Sequence, residues 1–204
     1  MTTGHVQTNE VSNDASVESE GNSQNDVTTA HAKGNPAVLL QTADILLKNS
    51  SNKRELKVKA LFDSGSQRTY ITERVCKFLD LPTEKTESIN INIFGSKQAD
   101  QSIVKNVKVT AVTNKKNELK FNALSYPHTC LPLQRHSIHL AKSHFNSDIH
   151  FADSGDCNGD IDLLIGSDFM WIFFTGNIIR SKTLQGLVAL ETEFGWVIGG
   201  PTAS

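Results

Sequence analysis

Between residues 56 and 66 the chain passes from strict alternation into a single acidic turn, and that passage constrains the fold more than any other feature. Leu56, Val58, Ala60 and Phe62 alternate with Lys57 and Lys59. This is the period-2 pattern of a strand with one apolar and one solvated face. The exposed lysines stop at Leu61, so the strand reads as entering the interior just before Asp63-Ser64-Gly65-Ser66. A carboxylate on a tight turn at the end of a buried strand must be compensated, because taking an ionised group out of water is costly. One solution is a hydrogen-bonded turn. The other is a second carboxylate sharing one proton: two such groups about 3 Å apart cannot both ionise, so one becomes the base and the other the acid. The base then takes a proton from a lytic water, and the acid protonates a peptide carbonyl, with no covalent intermediate. In that arrangement Gly65 lets the backbone turn closely and offers its N–H to a carboxylate. The Ser64 hydroxyl locks one turn to its partner, and the Ser66 hydroxyl bonds an outer carboxylate oxygen.

The triplet alone carries little weight. An Asp-[Ser/Thr]-Gly triplet arises by chance in about one chain in ten of this length, and this chain holds a second one, Asp153-Ser154-Gly155. Context separates the two. Asp63 ends an apolar strand and is followed by Thr69-Tyr70-Ile71, which resumes apolar character. Asp153 lies in a run of Asp, Gly, Ser and Asn up to Asp160 and reads as a surface turn.

Around this centre the pattern is one of short strands. Val38–Leu47, Ile89–Phe94, Ile103–Val112, Leu119–Leu124, Ile161–Ile165, Asn177–Arg180, Gly186–Leu190 and Gly195–Ile198 read as strands. A short helix is expected near Thr72–Leu79. Thr72 serves as its N-cap, Val75, Phe78 and Leu79 share one face, and Pro82 ends it. Residues 127–160 carry no clear period. Many short strands with one or two short helices give an all-β chain whose strands close, or nearly close, into a barrel. The Ala37–Pro201 segment is expected to form this domain, ahead of a stub at 202–204.

Residues 1–36 contain no Ile, Leu, Phe, Trp, Tyr or Cys, so they are expected to stay disordered. They carry a balance of −4, which leaves +2 for the rest of a chain whose net charge is −2. Neither part is basic enough to argue for nucleic acid. The longest apolar run, Phe169–Phe174, is far short of a membrane span. With no secretory leader and three widely spaced thiols, Cys76, Cys130 and Cys157, the expectation is an intracellular, cytoplasmic protein with reduced cysteines.

Three stretches together resemble the retropepsin-like aspartic proteases, and more closely the protease segment of BEL/Pao-type retrotransposon polyproteins. They are Ala60–Ile71 with its Asp63-Ser64-Gly65-Ser66, Asp160–Phe169 with Leu163-Leu164-Ile165-Gly166-Ser167-Asp168, and Val188–Thr192 with Gly195–Pro201. The resemblance implies an acid protease fold with one lobe per chain, one catalytic aspartate (Asp63) and an active site at a homodimer interface. It implies an extended polypeptide as substrate, no cofactor, and a setting in retroelement particles. It also implies that the Leu164-Ile165-Gly166 strand passes behind the catalytic turn, with Gly166 permitting a close crossing and Asp168 capping the next helix. The family covers its cleft with a Gly-rich hairpin, for which the candidate here is Phe94-Gly95-Ser96. Asp153 lacks an equivalent strand context, so pairing Asp63 with Asp63 of a second copy is the simpler reading.

His128, His136, His139, His144 and His150 with Cys130 and Cys157 match no zinc-ligand spacing and read as a polar loop, so no metal is expected. Cys76 reads as a small core residue. Phe169–Phe174 reads as core or dimer interface, and Trp196 as packing for a terminal strand. Two function classes remain: an endopeptidase that processes a polyprotein, and a catalytically degenerate module that dimerises or binds peptide. A zinc-binding adaptor built on the histidine-rich loop is a third, weaker idea.

Overall fold

A computed structural model describes residues 38–91, 100–130, 138–155 and 160–202. These lie within the compact unit His31–Ser204; the other unit, Met1–Ala30, and the sequence reading of residues 1–36 fall outside the described residues. The strands are β1 (Val38–Leu39), β2 (Thr42–Asn49), β3 (Arg54–Phe62), β4 (Tyr70–Thr72), β5 (Thr83–Ile91), β6 (Asp100–Val112), β7 (Glu118–Tyr126), β8 (Leu163–Ile165), β9 (Phe174–Arg180), β10 (Val188–Thr192) and β11 (Gly195–Pro201). The helices are α1 (Glu73–Leu79), α2 (Ile138–Lys142) and α3 (Met170–Phe173). The described part thus carries three short helices where the sequence led us to expect one or two. The extra one, α2, lies in the segment that shows no periodicity.

Six strands close on themselves in the order β2-β3-β8-β4-β7-β6, with β6 returning to β2 through Leu46↔Val112, Leu47↔Ala111 and Lys48↔Thr110. The fold is therefore an all-β, retropepsin-like closed barrel. Closure leaves no free edge among these six strands. β5 hangs outside the barrel on β6, and a separate sheet runs β1-β11-β10-β9. The alternation on β3 places Val58, Ala60 and Phe62 in the core. Lys57 stays in water with its side chain 55% exposed, but Lys59 is buried. From Val58 onward both faces of β3 are covered, so the polar face that the alternation predicts holds only for the first half of the strand.

The core joins the barrel interior to α1 and α3. Phe173 is fully buried, and its ring meets those of Phe62, Phe121 and Phe194 at centroid distances of 6.4, 5.3 and 5.3 Å. Truncating such a side chain to Ala costs about 3–5 kcal/mol, the lost transfer energy plus the cavity left behind. The predicted helix forms with Thr72 as its N-cap, the Val75 N–H donating to Thr72 Oγ1 at 3.5 Å. It stops at Asp80, which turns left-handed with φ 54° and returns its N–H to the carbonyls of Cys76 and Lys77. Val75 and Leu79 are buried, whereas Phe78, expected on the same face, is 52% exposed. Cys76 is part-buried and packs against the core.

Candidate functional site

β3 and β4 are joined by the loop 63–69, yet they are not neighbours in the sheet. β8 lies between them, parallel to β3 (Leu61↔Leu164, Phe62↔Ile165) and antiparallel to β4 (Tyr70↔Leu164). The loop must therefore bridge the end of β8, and the chain leaving β8 must pass beneath the loop. Asp63 stands at the first bend. Its N–H donates to the Ile165 carbonyl at 3.0 Å, which anchors the turn on β8. The Gly65 N–H donates to Asp63 Oδ1 at 2.9 Å, and the Ser66 N–H closes the turn on the Asp63 carbonyl at 3.2 Å. The side chain is only partly buried, and among the described residues no group donates to Oδ2. The Ser66 hydroxyl does not bond a carboxylate oxygen as its position in the turn led us to expect. It donates to the Arg68 carbonyl at 2.8 Å, which stiffens the loop. Ser64 is exposed, and its carbonyl accepts from Ser167 Oγ at 2.9 Å.

The crossing beneath the loop needs glycine. A Cβ on Gly166 would stand 2.4 Å from the Arg68 carbonyl oxygen, well inside van der Waals contact. Leu164 and Ile165 are buried against β3 and β4 just before it. Asp168 is not the cap of the helix that follows. The N-cap of α3 is Phe169, and it has no side-chain cap bond. Asp168 instead accepts from the Thr69 N–H at 3.1 Å and from Thr69 Oγ1 at 2.6 Å, while Thr69 Oγ1 accepts from the Gly166 N–H at 3.1 Å. Thr69 is fully buried, so this three-residue knot satisfies polar groups that water cannot reach. Nothing in the sequence distinguishes Thr69 from an ordinary strand threonine; only the crossing gives it a role.

Arg68 extends the knot outward, its guanidinium lying 3.3 Å from Glu87 on β5 and 3.7 Å from Asp168. Hydrogen bonds from Asn106, Lys85 and Arg68 outweigh slight burial and hold the Glu87 carboxyl at about 2. β5 and β6 run as an antiparallel pair out to Ile91↔Asp100. Phe94, Gly95 and Ser96, the cleft-covering candidates, lie outside the described residues. Cys130 is a neighbour that the spacing of the thiols did not reveal. Burial pushes its thiol up, and the charges of Asp63 and Asp160 push it further against a hydrogen bond with Thr129.

The second triplet is not a surface turn. Asp153 is buried, with the Gly155 N–H on its Oδ1 at 2.8 Å, the local bond that Gly65 makes to Asp63. The difference is Lys59, whose Nζ lies 2.6 Å from Asp153 Oδ1 and 2.7 Å from Asp44 Oδ1. Thr42 Oγ1 also donates to Asp153, and the Ser154 N–H and Oγ both donate to Asp44 Oδ2, at 3.0 and 2.6 Å. Burial raises the Asp44 carboxyl, but the bonds from Lys59 and Ser154 outweigh it and leave it at about 2. Burial likewise lowers the Lys59 ammonium, and its two carboxylate partners outweigh that and raise it.

Two clefts, of about 410 and 360 Å³, share Asn114 and His150 and lie away from Asp63. Among the described residues no group of three His, Cys, Asp or Glu is placed to hold a metal ion; His136 and Cys157 lie outside them. No helix among the described residues is long and apolar enough to cross a membrane. Trp196 sits on β11, where its N–H donates to the His150 carbonyl at 2.9 Å and its carbonyl accepts from Ala152.

Residues 46–202 match the model of the family described as "Putative peptidase (DUF1758)". No curated protein matches, and no solved structure matches.

Proposed function

The chain belongs to the peptidase family DUF1758, and from that premise we propose that it is an aspartic endopeptidase of the retropepsin type. Its peptidase-like domain resembles the protease segment of BEL/Pao-type retrotransposon polyproteins, and a retroelement polyprotein is the substrate we assign to it. Asp63 supplies one carboxylate of the dyad, and Asp63 of a second copy supplies the other.

The observation that carries this reading is the Asp63 turn over the Gly166 crossing. The Gly65 amide holds Oδ1 at 2.9 Å, the Asp63 backbone is pinned to β8, and among the described residues no group donates to Oδ2. A turn fixed on both flanks presents its carboxylate at a constant position, as positioning of a reacting group requires. Two such turns across a twofold axis bring the carboxylates together, and the pair shares one proton. The ionised member takes a proton from a bridging water as that water's oxygen attacks the peptide carbonyl carbon. The protonated member donates its proton to the carbonyl oxygen. Collapse of the tetrahedral intermediate breaks the C–N bond, and a proton passes to the departing amine.

The test is cleavage of an extended-peptide library from pH 3 to 7 by the purified chain and by Asp63→Asn. Acid-leaning cleavage that the substitution abolishes supports the reading. Full activity in Asp63→Asn sinks it, and a folded dimer that cleaves nothing leaves a peptide-binding or dimerisation module instead.

A further inference from the structure

We propose that Ser167 is a positioning residue for Asp63, acting through the single peptide unit that joins Ser64 to Gly65. This rests on the proposed dyad, since it concerns how one of the two carboxylates is held. Ser167 follows the Gly166 crossing at the end of β8 and lies 103 residues from the serine it touches. Its hydroxyl donates to the Ser64 carbonyl at 2.9 Å, and its N–H donates to the Ser66 carbonyl at 2.8 Å. It thus grips the Asp63 turn at two points.

The first of these bonds reaches the carboxylate. A trans peptide bond is planar, so its C=O and N–H point in opposite directions. The Ser64 carbonyl and the Gly65 N–H belong to one such unit. Ser167 holds the carbonyl end, and the N–H end donates to Asp63 Oδ1 at 2.9 Å. Rotating the unit would break both bonds, so each one fixes the other. A donor on the carbonyl also polarises the unit, which strengthens the bond that its N–H makes. Among the described residues the Gly65 N–H is the one donor to this carboxylate. The orientation of Asp63 therefore follows the orientation of one peptide plane, and Ser167 is the side chain bonded to that plane.

Ser167 is itself held on both sides. The Gly166 N–H before it donates to Thr69 Oγ1, and the Asp168 carboxylate after it accepts from the Thr69 N–H and hydroxyl. The hydroxyl of Ser66, by contrast, stays within its own loop on the Arg68 carbonyl and does not touch the Ser64–Gly65 unit. The Ser167 bond lies at the surface, where water competes for it, so its loss should lower turnover by a modest factor and leave the chain folded.

Steady-state peptide cleavage by the full chain, at concentrations where activity per chain has saturated, tests this with Ser167→Ala, Ser167→Thr and Ser143→Ala. Ser143 is the control, because its hydroxyl makes a comparable exposed bond to the Leu140 carbonyl, at 2.6 Å, just after α2. The NMR resonance of the Gly65 amide proton gives a second readout that does not depend on turnover. The expected result is a kcat about 3- to 10-fold lower in Ser167→Ala, the effect of one lost hydrogen bond, with KM unchanged. Ser167→Thr keeps the hydroxyl and should recover most of the loss, and Ser143→Ala should match the wild type. The Gly65 amide proton should move upfield in Ser167→Ala and return in Ser167→Thr. An unchanged kcat in Ser167→Ala, or an unmoved Gly65 resonance, overturns the inference and leaves the Asp63 reading intact if Asp63→Asn is still inactive. A rise in KM alone overturns it in favour of a role in binding peptide. A loss of kcat that Ser167→Thr does not recover, or that Ser143→Ala shares, overturns it in favour of a general loosening of the fold. A wild-type chain that cleaves nothing removes the Asp63 reading and the positioning role with it, whatever the resonance does.

Discussion

Asp63 and Asp153 begin the same three residues and make the same local hydrogen bond, glycine amide to carboxylate, at 2.9 and 2.8 Å. Everything around them differs. Asp153 is buried and neutralised by Lys59, with Asp44, Thr42 and Ser154 completing a closed network. Asp63 is partly exposed and has only its own turn as a donor among the described residues. The comparison separates two uses of one turn. A carboxylate whose charge is compensated inside the chain fastens a loop. One that has only its own turn as a donor, among the described residues, is the carboxylate we propose for the chemistry.

The largest expected contrast comes from changing each aspartate to asparagine. Asp63→Asn should lower peptide cleavage by about 10²–10⁴-fold, the range for removing a general acid–base group, with little change in the urea midpoint. Asp153→Asn should do the reverse, destabilising the fold while leaving residual activity per folded chain. If both lose activity and neither loses stability, the division of roles is wrong.

Next in size is Lys59→Met. It leaves Asp44 and Asp153 buried without their cation and should cost about 3–5 kcal/mol in denaturant unfolding. The same cluster predicts an acid limit. The Asp44 carboxyl sits at about 2 in the folded chain against an ordinary value of 3.8. Its contribution to stability is thus fully present above pH 3.8 and is lost as pH falls through about 2. It is worth about 2 kcal/mol by proton linkage. Unfolding measured from pH 1.5 to 5 should show this loss in the wild type, and Asp44→Asn should flatten it.

The smallest contrast lies in the glycines. Gly155 has φ +82°, and a Cβ there would lie 2.7 Å from His139 Nε2 and 2.9 Å from Ile138 Cγ2, so Gly155→Ala should cost about 1–3 kcal/mol. A Cβ on Gly65 meets only Asp63 Oδ1, at 3.2 Å, so Gly65→Ala should cost less than about 1 kcal/mol while displacing the carboxylate enough to reduce activity. Paired melting and cleavage assays separate the two.

The barrel was legible in the sequence because its strands keep their alternation and its first helix carries its cap. Val58, Ala60 and Phe62 are where the period-2 pattern puts them, and Thr72 caps α1. The pattern failed where a polar residue is covered by a segment far away in sequence. Lys59 continues the solvated face that Lys57 begins, and nothing local shows that residues 153–154, with Asp44 of the neighbouring strand, will enclose it. The turn-rich run around Asp153 reads as surface for the same reason, since the partner that buries it lies 94 residues away. Asp168 precedes a helix, which is where a cap belongs, but the crossing of two loops offers it the Thr69 N–H and hydroxyl instead. Topology created that bond, and no local signal encodes it.

If Asp63 is half of a catalytic site, cleavage depends on the pairing of chains. The most direct measurement is specific cleavage activity as a function of chain concentration, repeated with increasing amounts of the Asp63→Asn chain mixed in. Activity per chain should rise with concentration and then saturate, and should fall when inactive chains capture active ones in mixed pairs. Activity per chain that is constant down to the lowest concentration and indifferent to added Asp63→Asn chain would contradict it.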